Sequence, residues 1–435
     1  MKKKAYVALA VDFLHDGHIK ILEIAKSYGD VVVGLLTDKA IAQYKRIPNL
    51  NYEQREKIVK NIKFVDKVIP QNSEDYSENL KKIKPDYLVH GDDWIDDNRK
   101  NIRKKAISVL KNWGGKLIEP KHSKNINLKF IDEKKINLNK IEGRVNKLRR
   151  LINSKDIVRV IESHNSLTGL LIENLNISKK NQYKEFDSMW SSSLTDSAVK
   201  GKPDNQSVDY SSRILSLNDT MDVTTKPVIF DGDNGGRIEH LGYLVRSLER
   251  SGVSAIAIED KIGLKKNSLF KNQKGARQDN PLKFSKKIKK IVETRSSKDF
   301  MVIARIESFI LGKGLDDALK RAKIYSKAGA DAILIHSKSK KPNEIFSFAD
   351  KFNVSKHRLP LVAVPSTYSS VKEKDLINHG FKVVIYANQL LRAAFPAMQS
   401  VATNILKNTR SHEIEKKIVP INEIINLVKW LKLMI

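Results

Sequence analysis

The strongest constraint on this chain is a count. Between residues 158 and 387, eight short apolar runs recur, at 158–162, 188–192, 228–231, 255–259, 302–307, 332–336, 361–365 and 383–387. Most are separated by stretches with helical spacing, such as Leu315, Ala318, Leu319 and Ala322 at i, i+3, i+4 and i+7. The runs are apolar on both faces, as buried parallel strands are. Each interval is long enough for a right-handed crossover. Eight such units in about 280 residues predict a (β/α)8 barrel. In that architecture chemistry gathers at the C-terminal ends of the strands. Here those ends carry Glu162 and His164, Trp190 and Ser192, Asp231 and Asp233, Glu259, Arg305 and Glu307, His336, and Asn388. The opposite ends carry unreactive pairs such as Lys226-Pro227, Gly329-Ala330 and Leu359-Pro360. Packing does not account for that asymmetry, which predicts a site at one mouth.

The chain before residue 120 reads differently. Strand-like runs at 6–12, 31–38, 67–70, 87–89 and 116–119 alternate with helical patterns near 19–25, 52–64 and 99–113. This predicts a doubly wound, Rossmann-like parallel sheet, so the fold class is α/β throughout. On the helix over 52–64, Arg55, Glu56 and Lys57 fall on the wet face. Residues 121–153 are rich in Lys and Asn, with irregular apolar spacing, and end in a short basic helix near 145–152. The predicted organisation is a front domain over 1–125, a polar linker with a short helix over 126–153, and the barrel over 154–435.

Composition removes some functions. There is no cysteine, hence no disulfide, no thiolate nucleophile and no Cys-ligated zinc or iron–sulfur cluster. A reducing cytoplasm is the natural compartment. No run of about 18 apolar residues predicts a membrane span. The apolar run after Met-Lys-Lys-Lys reads as a strand rather than a signal peptide. Lys plus Arg is 80 and Asp plus Glu 50, a net charge of +30. The lysines are scattered, with no clustered basic–aromatic stripe. This favours an enzyme attracting anionic substrates over a nucleic-acid binder, which would show a steep salt slope.

Two motifs concentrate the chemistry of the barrel. Asp231-Gly232-Asp233-Asn234-Gly235-Gly236 puts two carboxylates among glycines, suited to a hard cation that keeps waters, most simply Mg²⁺. Glu259-Asp260-Lys261 adds a carboxylate at the next strand end, and Lys265, Arg305 and His336 bring cationic or donor groups to the same mouth. The signature Glu259-Asp260-Lys261-x₅-Asn267-Ser268 resembles that of the phosphoenolpyruvate mutase family of the isocitrate lyase superfamily. The match continues at Trp190-Ser191-Ser192, Gly201-Lys202-Pro203-Asp204, Asp231 to Gly236, Ala304-Arg305-Ile306-Glu307-Ser308-Phe309 and Ile335-His336-Ser337-Lys338. It covers about residues 154–410.

The resemblance implies interconversion of phosphoenolpyruvate and phosphonopyruvate, with phosphorus moving between oxygen and carbon 3. It assigns Arg305, His336 and Asn267 to the phosphoryl oxygens. Backbone N–H groups near Ser192, Ser193 and Leu194, beside Trp190, would hold the pyruvyl part together with Mg²⁺. Asp231 becomes the direct metal ligand, and Asp233, Glu259 and Asp204 act through waters. Lys265 and Asn267 lie on a gating loop, and Asp204 orients the phosphoryl group or accepts it. The superfamily's carbon–carbon lyases carry a Cys where Lys265-Lys266-Asn267 stands, which argues against lyase chemistry here. Where the family has Gly in W-S-S-G-L, this chain has Ser193, and strain is expected if that glycine has φ > 0. The resemblance also implies a homodimer or homotetramer. It further implies a coupled irreversible step, most simply a separate phosphonopyruvate decarboxylase, to draw the unfavourable reaction toward phosphonate. The amphipathic stretch 421–435, with Trp430 and Leu431, reads as a packing or subunit-contact helix.

The front segment carries Asp12-Phe13-Leu14-His15-x-Gly17-His18, Leu35-Leu36-Thr37-Asp38, Tyr52-Glu53-Gln54-Arg55 and His90-Gly91-Asp92-Asp93-Trp94. It resembles the cytidylyltransferase family over about residues 4–120. This implies attack of a phosphate or phosphonate oxygen on CTP, with His15 and His18 stabilising charge and Arg55 binding phosphate. The family's closing T-E-G-I-S-S-T is replaced by Lys121-His122-Ser123-Lys124-Asn125-Ile126-Asn127. Two readings follow: a mutase with a working or vestigial nucleotidyltransferase in front, or a phosphonopyruvate hydrolase with a degenerate front domain.

Overall fold

The computed structural model describes residues 2–95, 99–121, 141–179, 182–263, 265–270, 273 and 275–429. The chain divides into two compact units, one holding an open sheet and the other a closed barrel.

The open sheet has five parallel strands: β1 (Lys4–Leu9), β2 (Asp30–Leu36), β3 (Lys67–Gln71), β4 (Tyr87–Val89) and β5 (Lys116–Ile118), in the order β3-β2-β1-β4-β5. Side chains along β1 alternate between two cores. Tyr6 and Ala8 join Val32, Leu36, Leu88 and Trp94 on one face, whereas Ala5, Val7 and Leu9 join Val31, Val33, Leu35 and Val89 on the other. Gly34 is required on β2, because a Cβ there would lie 1.8 Å from the Tyr6 hydroxyl. The apolar run expected to extend β1 to residue 12 ends early. Val11 is at φ +49°, so the chain turns out of the sheet. The strand order reverses between β1 and β4, the position where doubly wound sheets open a ligand crevice.

The barrel is closed by β6 (Val158–Glu162), β7 (Ser188–Ser191), β8 (Val228–Asp231), β9 (Ala255–Glu259), β10 (Met301–Ile306), β11 (Ala332–Ile335), β12 (Leu361–Ala363) and β13 (Phe381–Tyr386). Every pair is parallel and sequential, and β13 returns to β6 through Val383 opposite Val158. All eight expected strands are present, with ends shifted by no more than two residues.

The helix Ile141–Ser154 is longer than the short one expected near 145–152, and its residues up to Ile152 belong to the barrel unit. Val145 joins the barrel core, and Leu148, Leu151 and Ile152 are buried. Arg144 donates to the carbonyls of Met221 (3.0 Å) and Thr224 (2.7 Å), and its own carbonyl accepts from Ser254 Oγ (2.8 Å). Thr224 and Ser254 precede β8 and β9, so this helix covers the end of the barrel opposite the C-terminal ends of the strands. Residues 122–140, which hold the rest of the expected linker and the departure from the closing motif, lie outside the described residues. So do Trp430 and Leu431; the helix Ile421–Lys429 precedes them. Among the described residues no helix is long and apolar enough to cross a membrane.

Candidate active site

At the barrel mouth the loop after β8 folds tightly because Gly232 permits it. Its N–H donates to Ala257 O (2.8 Å), and a Cβ would come within 2.8 Å of Ile256. Asp233 takes a left-handed conformation at φ +49°, which turns the loop so that Asp231 and Asp233 are both buried. Asp231 Oδ2 accepts from Ser193 Oγ (2.8 Å) and Ser193 N (3.3 Å), and Oδ1 accepts from Asp233 N (3.2 Å). Ser193 opens the helix Ser193–Ala198, capped by Ser192, whose side chain accepts from Thr195 N. It is not among the positive-φ residues. The strain expected from Ser in place of Gly is therefore absent, and the hydroxyl gains a bond to Asp231.

The loop between Lys261–Ile262 and Arg277–Gln278, paired antiparallel at its base, brings Lys265 and Asn267 over this mouth. Lys265 Nζ contacts Asp204 Oδ1 (2.6 Å), Asp233 Oδ1 and Ser193 Oγ, and Asn267 Nδ2 donates to Asp204 Oδ2 (2.7 Å). Asp204 thus latches both loop residues. Beneath them Arg305 reaches Glu307 (2.5 Å), Ser268 Oγ (2.9 Å), His336 Nδ1 (3.0 Å) and Glu259 (3.2 Å). Lys261 bridges Glu259 and Glu307 at 3.5 Å each, and donates to Ser268 Oγ (2.7 Å) and Lys266 O (2.8 Å).

The electrostatics separate the carboxylates. Burial alone would raise Asp231, but Lys265, Arg305 and Arg213 outweigh it and hold its carboxyl below the usual range. Burial wins at Asp233, which is raised despite Lys265, and at Glu259, which is pushed up to about 7 against the pull of Arg305. Glu307 is held well below its ordinary value: Arg305 and His336 overcome its burial. His336 is lowered by burial and then by Arg305, against the pull of Glu307. Trp190, Ser192, Ser193, Leu194, Asp204, Asp231, Glu259, Lys265, Asn267, Arg305 and His336 line one cavity of about 60 Å³; Asp233 joins them through Lys265.

The expected metal set does not form a ready cage. Among the described residues no three acidic or histidine side chains converge to hold a cation. The donors nevertheless suit Mg²⁺, which keeps most of its waters and takes only one or two carboxylates directly. Buried carboxylates of Asp231, Asp233 and Glu259 share one mouth, with the Lys265 ammonium seated among them.

Several residues around the site were not assigned roles by sequence. Glu307 and Lys261 stand inside recognisable motifs, so their positions were visible though their pairing was not. Arg213 and Asp196 carry no signal in sequence: an Arg or an Asp on a helix occurs everywhere.

The front unit holds a larger cavity, about 460 Å³, at the crevice beyond β1 and β4. His15 immediately precedes the helix Asp16–Tyr28, and its ring lies 3.8 Å from that of His18. Both rings, with Lys45, Tyr76, His90 and Arg99, line the cavity. Burial, then His15 and Lys45, push His18 down to about 4, which keeps it neutral. Arg55 does not reach this cavity, and the wet-face expectation for it fails. It is fully buried, donating to the carbonyls of Ala10 (2.6 Å), Leu36 (2.8 Å) and Leu50 (3.2 Å) and pairing with Asp38 (2.7 Å). Its long side chain turns inward to satisfy carbonyls where β1 and β2 end. Arg55→Ala is therefore expected to cost the front unit about 3–5 kcal/mol, as removal of one member of a buried ion pair does. Thermal unfolding with and without CTP checks this: stability drops in both conditions.

Fold and site together define a (β/α)8-barrel enzyme whose carboxylates face Arg, Lys and His donors at the strand ends. Residues 148–406 match the family model for phosphoenolpyruvate phosphomutase, and residues 11–136 match that for cytidylyltransferase-like proteins. The chain belongs to the phosphoenolpyruvate phosphomutase family and carries a cytidylyltransferase-like domain in front. It is 36% identical over 282 residues to a phosphoenolpyruvate phosphomutase of Tetrahymena pyriformis, covering 64% of this chain and 89% of that one. The crystal structure of a phosphonopyruvate hydrolase complexed with oxalate and Mg²⁺ superposes with a TM-score of 0.58 at 31% identity, covering 65% of this chain and 94% of that one. The front segment is 38% identical over 117 residues to an FAD synthase of Korarchaeum cryptofilum, covering 25% of this chain and 79% of that one.

Proposed function

We propose that the barrel interconverts phosphoenolpyruvate and phosphonopyruvate. One observation carries this reading: Lys265 and Asn267 reach over the mouth, both bonded to Asp204. A phosphoryl group in loose transfer behaves like metaphosphate and reacts with whatever nucleophile is nearest. A loop held over the mouth in this way would restrict water and leave the enolate as the acceptor, at carbon 3 or at oxygen. Arg305, His336 and Asn267 hold the phosphoryl oxygens, while the N–H groups of Ser193 and Leu194 and the Trp190 wall hold the pyruvyl part. Asp231 would hold Mg²⁺, with the buried carboxylates of Asp233 and Glu259 beside it. When bound, the ion supplies charge stabilisation for the enolate and carboxylate. The absence of Cys, with Lys265-Lys266-Asn267 on the loop, weighs against the carbon–carbon cleavage carried out by lyase relatives such as 2,3-dimethylmalate lyase.

In the front domain, the paired His15 and His18 beside a helix start support nucleotidyl transfer from CTP to a phosphonate or phosphate. The barrel reading is tested by a coupled assay on phosphonopyruvate with Mg²⁺. Lactate dehydrogenase alone reports pyruvate, and adding pyruvate kinase with ADP reports phosphoenolpyruvate. Signal only with the kinase supports the mutase; full signal without it makes the chain a hydrolase. Pyrophosphate release from CTP tests the front domain.

A further inference from the structure

Arg213, on the helix Tyr210–Met221, is fully buried and does not line the barrel cavity, yet its nitrogens end on the residues that shape it. Nη1 donates to Asp231 O (2.6 Å), Nη2 to Ser191 O (3.1 Å) and Nε to Asp196 Oδ2 (2.8 Å). Nη1 also lies 3.8 Å from Asp233 Oδ2, and the guanidinium rests on the Phe230 ring, 4.2 Å from its centroid. Ser191 ends β7, immediately before Ser192, Ser193 and Leu194. Asp231 ends β8. Asp196 lies in the first turn of the helix that Ser193 opens, donating its N–H to Ser192 O (2.9 Å) and accepting from Ser191 Oγ (3.1 Å).

We infer that Arg213, locked by Asp196, is a positioning residue that fixes the Asp231 carboxylate against the Ser193–Leu194 N–H groups. The inference rests on the proposed role of Asp231 in holding Mg²⁺. The planar fork binds two adjacent strand ends and one helix turn in a single geometry. A compact ammonium at the same place keeps the charge but cannot make the three divergent bonds. Small displacements of such groups are costly: about 1 Å can lower a rate about 10²-fold.

The test compares Arg213→Lys and Asp196→Asn with wild type by steady-state kinetics on phosphonopyruvate, Mg²⁺ calorimetry and thermal unfolding. Both variants are expected to unfold cooperatively. Arg213→Lys should lower kcat about 30-fold, with KM changed less than about threefold, and weaken Mg²⁺ binding about tenfold. Asp196→Asn should move both in the same direction by a smaller factor. If Arg213→Lys fails to fold, Asp196→Asn decides alone. A folded variant with lowered stability but with kcat and Mg²⁺ affinity within threefold of wild type would reduce Arg213 to a structural residue and overturn the inference. Wild-type protein that turns over phosphonopyruvate without binding Mg²⁺ would overturn the reading it rests on, and the inference with it.

Discussion

Asp231→Ala abolishes barrel turnover, with a loss of at least about 10³-fold in kcat, and excess chelator does the same to the wild type. Removing a single electrostatic group from such a site already costs about 10²–10³-fold, and on the proposed reading the missing group would also hold the metal with its charge. No neighbour can take its place. Asp233 and Glu259 are both raised by burial, and Asp233 is already engaged by Lys265, whereas Asp231 is held ionised by three cations. Steady-state kinetics with phosphonopyruvate, with and without chelator, check this. Full turnover in excess chelator would remove the metal from the account.

Arg305→Ala and His336→Ala each lower kcat/KM by about 10²-fold or more. On the proposed reading each removes a contact to the phosphoryl group, an effect of about 3 kcal/mol. The two losses should not add. Arg305 Nη2 and the His336 ring lie 3.0 Å apart and share Glu307, so either truncation disturbs the other partner. Arg305→Ala also leaves Glu259 and Glu307 facing each other with one cation fewer, so its effect should be the larger. A double-mutant cycle measures the coupling, and losses below threefold in both single variants would place phosphoryl binding elsewhere.

The barrel was legible because its strands are buried on both faces, so each appears as an unbroken apolar run, and because reactive residues such as Asp231, Arg305 and His336 end those runs. Burial and chemistry marked the same positions. The tethers were not legible. Arg213 sits at an ordinary helical position, and only the fold brings it to the carbonyls of Ser191 and Asp231, each on a strand more than fifteen residues away in sequence. Arg55 was misread for the converse reason. Helical spacing set it beside Glu56 and Lys57 on the wet face, while its guanidinium satisfies carbonyls at the strand ends. Val11 extends an apolar run that the backbone leaves at φ +49°, and local pattern holds no sign of that turn. The helix Ile141–Ser154 was read as part of a linker because its basic face dominates its composition; Val145, Leu148, Leu151 and Ile152 show their burial only once the barrel end is there to receive them.

The measurement that bears most directly on the central claim is a phosphorus NMR end point, started separately from phosphonopyruvate and from phosphoenolpyruvate with Mg²⁺ and the purified chain. The account predicts that both samples reach the same mixture, dominated by phosphoenolpyruvate, with no inorganic phosphate formed. Inorganic phosphate accumulating from phosphonopyruvate, with the phosphoenolpyruvate sample unchanged, would contradict it.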